Sequence, residues 1–190
     1  MKKFELTAEF VTNVFGKKLF RIKALVAFGD VEKGELGGFI EKEGNLSHDG
    51  DAWVSGDARV SGNAQVSGDA QVSGNAWVSG NAWVYGNARV SGNAQVSGNA
   101  QVSGDARVSG NADFSVVEGF GRYFRATTFF RCKDKILRVQ CGCFYGDLAQ
   151  FREIVKKTHG DSKYAKEYLA IADLMELHFS DEEEKQEAVE

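Results

Sequence analysis

The side chains able to do chemistry are few. Three histidines, His48, His159 and His178, are the only groups that titrate near neutral pH without help. The sequence pairs none of them with an acceptor site, so general-base catalysis is not expected. Three cysteines, Cys132, Cys141 and Cys143, offer thiols. Cys141-Gly142-Cys143 would set two of them on one face of a strand, Cys132 would lie across a hairpin, and His159 would make a fourth zinc donor. That spacing matches no zinc-finger pattern. The thiols are read as small buried residues, and neither a metal nor a cofactor is expected.

A basic and aromatic stretch is the stronger candidate. It runs through Arg122, Tyr123, Phe124, Arg125, Phe129, Phe130, Arg131, Lys133, Lys135 and Arg138. On a strand, Phe124 shares a face with Arg122, and Tyr123 with Arg125. Forked guanidinium donors beside stacking rings suit a phosphate-bearing ligand. The plainer reading is a half-buried hairpin with a solvated basic face. Arg122, Tyr123, Arg125, Arg131 and Lys133 are the candidate ligand residues. A second candidate patch is Trp77, Trp83 and Tyr85, large rings that suit a contact surface.

Those rings sit in a repeat. From Asp51 to Phe114 the sequence recurs every six residues as Val-Ser-Gly-Asn/Asp-Ala-x. Val holds ten consecutive places from 54 to 108 and Ala every sixth place from 52 to 112. A six-residue period does not keep to one face of a helix. It fits a chain that turns a corner at each Gly-Asn or Gly-Asp, with Val and Ala inside and Ser and x outside. Three sides close a coil of about 18 residues. The 64 residues make roughly 3.5 coils and a stub of roughly 17 Å.

Residues 18 apart then stack. One face carries Trp53, Gln71, Arg89 and Arg107; a second carries Arg59, Trp77, Gln95 and Asp113; a third carries Gln65, Trp83 and Gln101. The tryptophans fall on three faces, which argues against a stacking track for single-stranded nucleic acid.

The flanks are not repeats. Residues 18–28 read as a strand, and Gly29-Asp30 as a turn. Arg122–Phe130 and Lys135–Cys143 read as a hairpin around Lys133-Asp134-Lys135. Asp147 caps a helix carrying Leu148, Phe151, Ile154 and Val155; Gly160 ends it, and Asp161 caps another carrying Tyr164, Tyr168, Ala172, Met175 and Phe179. The expected organisation is a β capping segment over 1–50, the β-helix over 51–114, a ββαα module over 115–180 and an acidic tail over 181–190. The expected fold is mainly β: a short parallel β-helix with an N-terminal β cap and a C-terminal α+β module.

The repeats resemble those of the hexapeptide-repeat superfamily. The resemblance implies a left-handed solenoid assembled as a homotrimer, with the outward rings either in the subunit interface or free for a foreign partner. The stretches Ile22–Val31, Gly37-Gly38-Phe39-Ile40-Glu41-Lys42-Glu43 and Asn45-Leu46-Ser47 resemble the leader of hexapeptide-repeat proteins found in bacterial prophages. Cys143-Phe144, Gly146-Asp147-Leu148 and Thr158-His159-Gly160-Asp161 extend that likeness. Many members of the superfamily are acyltransferases that use a histidine between subunits, but here the repeats hold no histidine and extrude no loop.

The net charge of −4 is a tail property. The last ten residues set six carboxylates against Lys185, so the other 180 sum to +1. A near-neutral body and an acidic tail disfavour broad duplex binding. No run approaches 18 apolar residues, and Met1-Lys2-Lys3-Phe4-Glu5 does not open a signal peptide. The expectation is a soluble protein of the host bacterial cytoplasm, without membrane contact. Its expected role is non-catalytic: a phage-derived trimeric scaffold that blocks a host immune protein or holds a nucleotide-like signal. A diverged acyltransferase and a self-assembling structural protein are the alternatives.

Overall fold

The computed structural model describes residues 1–180. The expected acidic tail therefore lies outside the described residues. The chain begins with strands β1 (Phe4–Thr12), β2 (Lys18–Ala24) and β3 (Leu36–Ile40). Ten two-residue strands follow, β4 to β13: Trp53–Val54, Arg59–Val60, Gln65–Val66, Gln71–Val72, Trp77–Val78, Trp83–Val84, Arg89–Val90, Gln95–Val96, Gln101–Val102 and Arg107–Val108. Strands β14 (Phe114–Val117), β15 (Thr127–Arg131), β16 (Leu137–Cys141) and β17 (Phe144–Asp147) come next, then helices α1 (Leu148–His159) and α2 (Lys163–His178).

The short strands stack in parallel with an 18-residue step, Arg89 opposite Gln71 and Arg107, and Trp83 opposite Gln65 and Gln101. The three faces are β4-β7-β10-β13, β5-β8-β11 and β6-β9-β12. The protein is a parallel β-solenoid of about four turns. Its repeat valines and alanines fill the interior, almost all with no exposed surface. Val stacks on Val from coil to coil, and the core is continuous from Phe4 to Phe130.

Backbone direction decides what each end of the solenoid needs. Within a repeat, the N–H groups of the variable, Ser and Asn or Asp positions donate to carbonyls one coil further on, as in Trp77 to Ala94, Ser79 to Val96 and Asn81 to Gly98. The first coil is thus left with mainly carbonyls at its outer edge, and the last with mainly N–H groups. Buried edges of either kind must be satisfied. The N-terminal flank brings donors: Lys3 Nζ reaches Gly50 O and Ala52 O, and Asn45 Nδ2 reaches Gly62 O and Ala64 O. The C-terminal flank brings acceptors: Thr128 Oγ1 takes Gln101 N, Glu118 takes Asn99 N, and Asn111 Oδ1 takes Gln95 N.

Several sequence expectations need correction. Strand β1 was not foreseen, and β2 ends at Ala24, short of Val26. The solenoid also begins earlier than residue 51, because β3 pairs in parallel with β5 and Leu46 bridges to Val66. Trp53 occupies an outward position yet is only 2% exposed, because Phe28 packs edge-on against it at 5.4 Å. Asp113 does not extend the second face; it closes a short turn, accepting the N–H groups of Ser109 and Gly110.

The C-terminal hairpin is part of a four-stranded antiparallel sheet, β14-β15-β16-β17. Neighbouring residues of β15 face opposite ways, so Phe130 joins the solenoid core and Phe129 joins a second core beneath α1 and α2. Residues 122–126 are a loop rather than strand, with Phe124 at φ 53°. Cys141-Gly142-Cys143 is not one strand either: Gly142 and Cys143 form the two-residue turn between β16 and β17. Asp147 caps α1 as expected, but Ser162 Oγ rather than Asp161 caps α2. No helix among the described residues is long and apolar enough to cross a membrane.

Candidate functional site

The loop between β14 and β15 lines a cavity together with α1 and is held to α2 in two ways. Gly121 N donates to Glu167 Oε2 of α2 at 2.9 Å. The Gly121 backbone, at φ 72°, lies against the Tyr168 hydroxyl, where a side chain would overlap it. These anchors fix the residues that follow. The Arg122 and Arg125 guanidiniums both lie over the Tyr123 ring, at 5.5 Å and 4.9 Å from its centroid. Among the described residues neither arginine has a carboxylate partner. Tyr123 and Phe124 are 63% and 70% exposed, so the rings are presented to solvent.

Beneath this loop is a cavity of about 260 Å³. Phe144 and Phe151 lie at its base, 5.6 Å apart, and Phe151 meets Tyr168 edge-on at 5.8 Å. Ile154 and His159 of α1 close one side. Burial, helped by the Cys141 thiol, pushes the Tyr168 hydroxyl up to about 12, so it is a proton-bearing donor at neutral pH. The site is thus an apolar, aromatic well under two unpaired cations. It suits an anion attached to a flat or apolar body.

The sequence candidates separate into several places. Arg122, Tyr123 and Arg125 come together here, although through a loop and on one ring, not on two strand faces. Arg131 does not join them: its Nη2 donates to Phe179 O at the end of α2. Lys133 lies in the turn between β15 and β16, its N–H donating to Asp105 O on the last coil. Trp83 and Tyr85 meet, ring centroids 5.0 Å apart. Trp77 is on another face, with Nε1 donating to Ser61 Oγ, and lines a cleft with Phe15 of the β1–β2 turn. Cys143 connects two of these places, lining the cavity and also a shallow groove shared with Tyr85.

The sequence offers His159 only as a zinc donor and Tyr168 only as a helix-face residue, yet both line the cavity. The spacing Phe151, Val155, His159 is a step of four on a helix, and that step puts His159 on the cavity side of α1. Cys132 is buried beside the Tyr145 hydroxyl, and burial pushes its thiol up. Among the described residues no three His, Cys, Asp or Glu side chains gather as metal donors. His48 stacks on Phe4 at 4.4 Å, accepts Lys3 N at Nδ1 and faces Glu43 through Nε2.

Comparison with family models matches the YdcK Beta solenoid repeat at residues 52–69, 70–86, 82–98 and 100–112. Each match lies inside the solenoid. The matching repeats and the modular stack together make this a repeat β-solenoid protein, a fold compatible with a scaffold or binding role. No curated protein matches the chain.

Proposed function

We propose that the chain is a non-catalytic binding protein whose cavity under Arg122 and Arg125 takes a small anionic ligand with an aromatic body, of the nucleotide type. The observation that carries this reading is the pair of guanidiniums gathered on Tyr123 without a carboxylate. Two cations so placed repel each other, and an anion between them relieves that cost. The aromatic base then receives the rest of the ligand. A volume of about 260 Å³ suits a mononucleotide better than a larger signal, since drug-sized ligands occupy roughly 300–1,000 Å³.

A binding role accords with His48, whose two nitrogens both face partners. The solenoid in this reading is a rigid post that assembles as a trimer in the bacterial cytoplasm. Its use is that of a phage product that withholds a nucleotide-like signal from the host, or occupies a host immune protein. Trp83 and Tyr85, and Trp77 on another face, add contact surface apart from the cavity.

The test is calorimetric titration with adenosine and guanosine monophosphates and a cyclic dinucleotide. The expected result is saturable binding of a mononucleotide, weakened at least about tenfold in Arg122→Ala/Arg125→Ala, since each charge-assisted bond contributes roughly 1.5–3 kcal/mol. Absence of binding by all three probes would sink the nucleotide reading.

A further inference from the structure

We infer that the groove on the third solenoid face is a saccharide-binding site with Trp83 as its stacking platform. The groove encloses about 840 Å³ between the chain start and the β6-β9-β12 face. Trp83 is 43% exposed, and Ser67 Oγ holds its indole N–H at 3.2 Å, so the ring orientation is fixed. Tyr85 meets it at 44° and makes an aromatic corner. Gln65 lies one rung before Trp83 and Gln101 one rung after it. Among the described residues neither side-chain amide has a hydrogen-bond partner, so each retains donors and an acceptor.

The chemistry of the walls selects the occupant. Lys2 of the lining is paired with Glu43 at 2.8 Å, and His48 also faces that carboxylate. Among the described residues of the lining, the Met1 α-amino group is then the one cation without a carboxylate, too little to hold a phosphate backbone. Leu46 and Val66 of the lining are buried, so an apolar peptide face finds only Met1 and the rings. A flat aromatic platform flanked by free amides and hydroxyls matches a neutral sugar, which has one apolar face and a rim of hydroxyls. The inference is independent of the cavity under Arg122 and Arg125.

The experiment follows tryptophan emission while cellotetraose and chitotetraose are titrated into the full chain. A saturable change with at least one probe is expected. It should persist in Trp77→Ala and in Arg122→Ala/Arg125→Ala, vanish in Trp83→Ala, and weaken several-fold in Gln65→Ala, a milder change in the lining that guards against misfolding. Circular dichroism checks that each variant is folded. No saturable change with either sugar, an equal change in Trp83→Ala, or a response to oligothymidylate instead would overturn the inference. So would a Trp83-dependent association of copies that closes the face to both sugars.

Discussion

Glu41 shows how a single side chain ties the flank to the solenoid. Its Oε2 accepts Gly62 N at 2.6 Å and its Oε1 takes Lys17 Nζ at 3.0 Å. The Gly62 N–H first, and then Lys17, hold the carboxyl below its ordinary value of 4.5. A carboxyl lowered by folding stabilises the fold fully above the unfolded value, and that contribution is lost as pH falls through the lower folded value. Melting temperature of the wild type should therefore fall more steeply than that of Glu41→Gln below about pH 4.5. Parallel acid limbs would contradict the assignment. At the corners, Gly80 has φ 69°, and a methyl there would lie 2.9 Å from Gly98 N of the next coil. Gly80→Ala should cost more than about 1 kcal/mol in denaturant unfolding, from backbone strain and the close coil beneath it.

At the scale of elements, the central point is that the solenoid ends differ chemically. Lys3 and Asn45 are donors set against carbonyls, whereas Thr128 and Glu118 are acceptors set against N–H groups. Thr128→Val keeps the buried shape but leaves Gln101 N without its acceptor. A loss of about 1–2 kcal/mol is expected in urea unfolding, and an unchanged midpoint would mean that the bond is replaced by other means. The solenoid was legible in the sequence because every coil obeys one rule, with Val and Ala inside and Gly at each corner. The flanks were less so. Strand β1 carries Phe4, Leu6, Thr7, Glu9 and Phe10 in no clean alternation, because its pairing with β2 shifts register between Leu6 and Phe10. The loop at Arg122–Arg125 alternates like a strand, yet Gly119, Gly121 and Phe124 all take positive φ. Of the basic, aromatic stretch, Arg122, Tyr123 and Arg125 come together on this loop, whereas Arg131 and Lys133 lie elsewhere. Trp53 was misjudged because a repeat cannot tell which of its outward positions a flank will cover.

For the whole molecule, β15 is the hinge of the design. Phe130 completes the solenoid core, and Phe129, one residue away, completes the core under α1 and α2. The cavity under Arg122 and Arg125 therefore stands on a body continuous with the solenoid, not on a loose appendage. A rigid body with a preformed aromatic well gives up little order when a ligand binds. The most direct measurement is a native mass spectrum of the protein purified from bacterial cells, taken beside that of Arg122→Ala/Arg125→Ala. The account predicts a trimer of the wild type carrying an anionic compound that is released on denaturation, and a bare trimer of the variant. A bare monomer of the wild type, or the same added mass on both proteins, would contradict it.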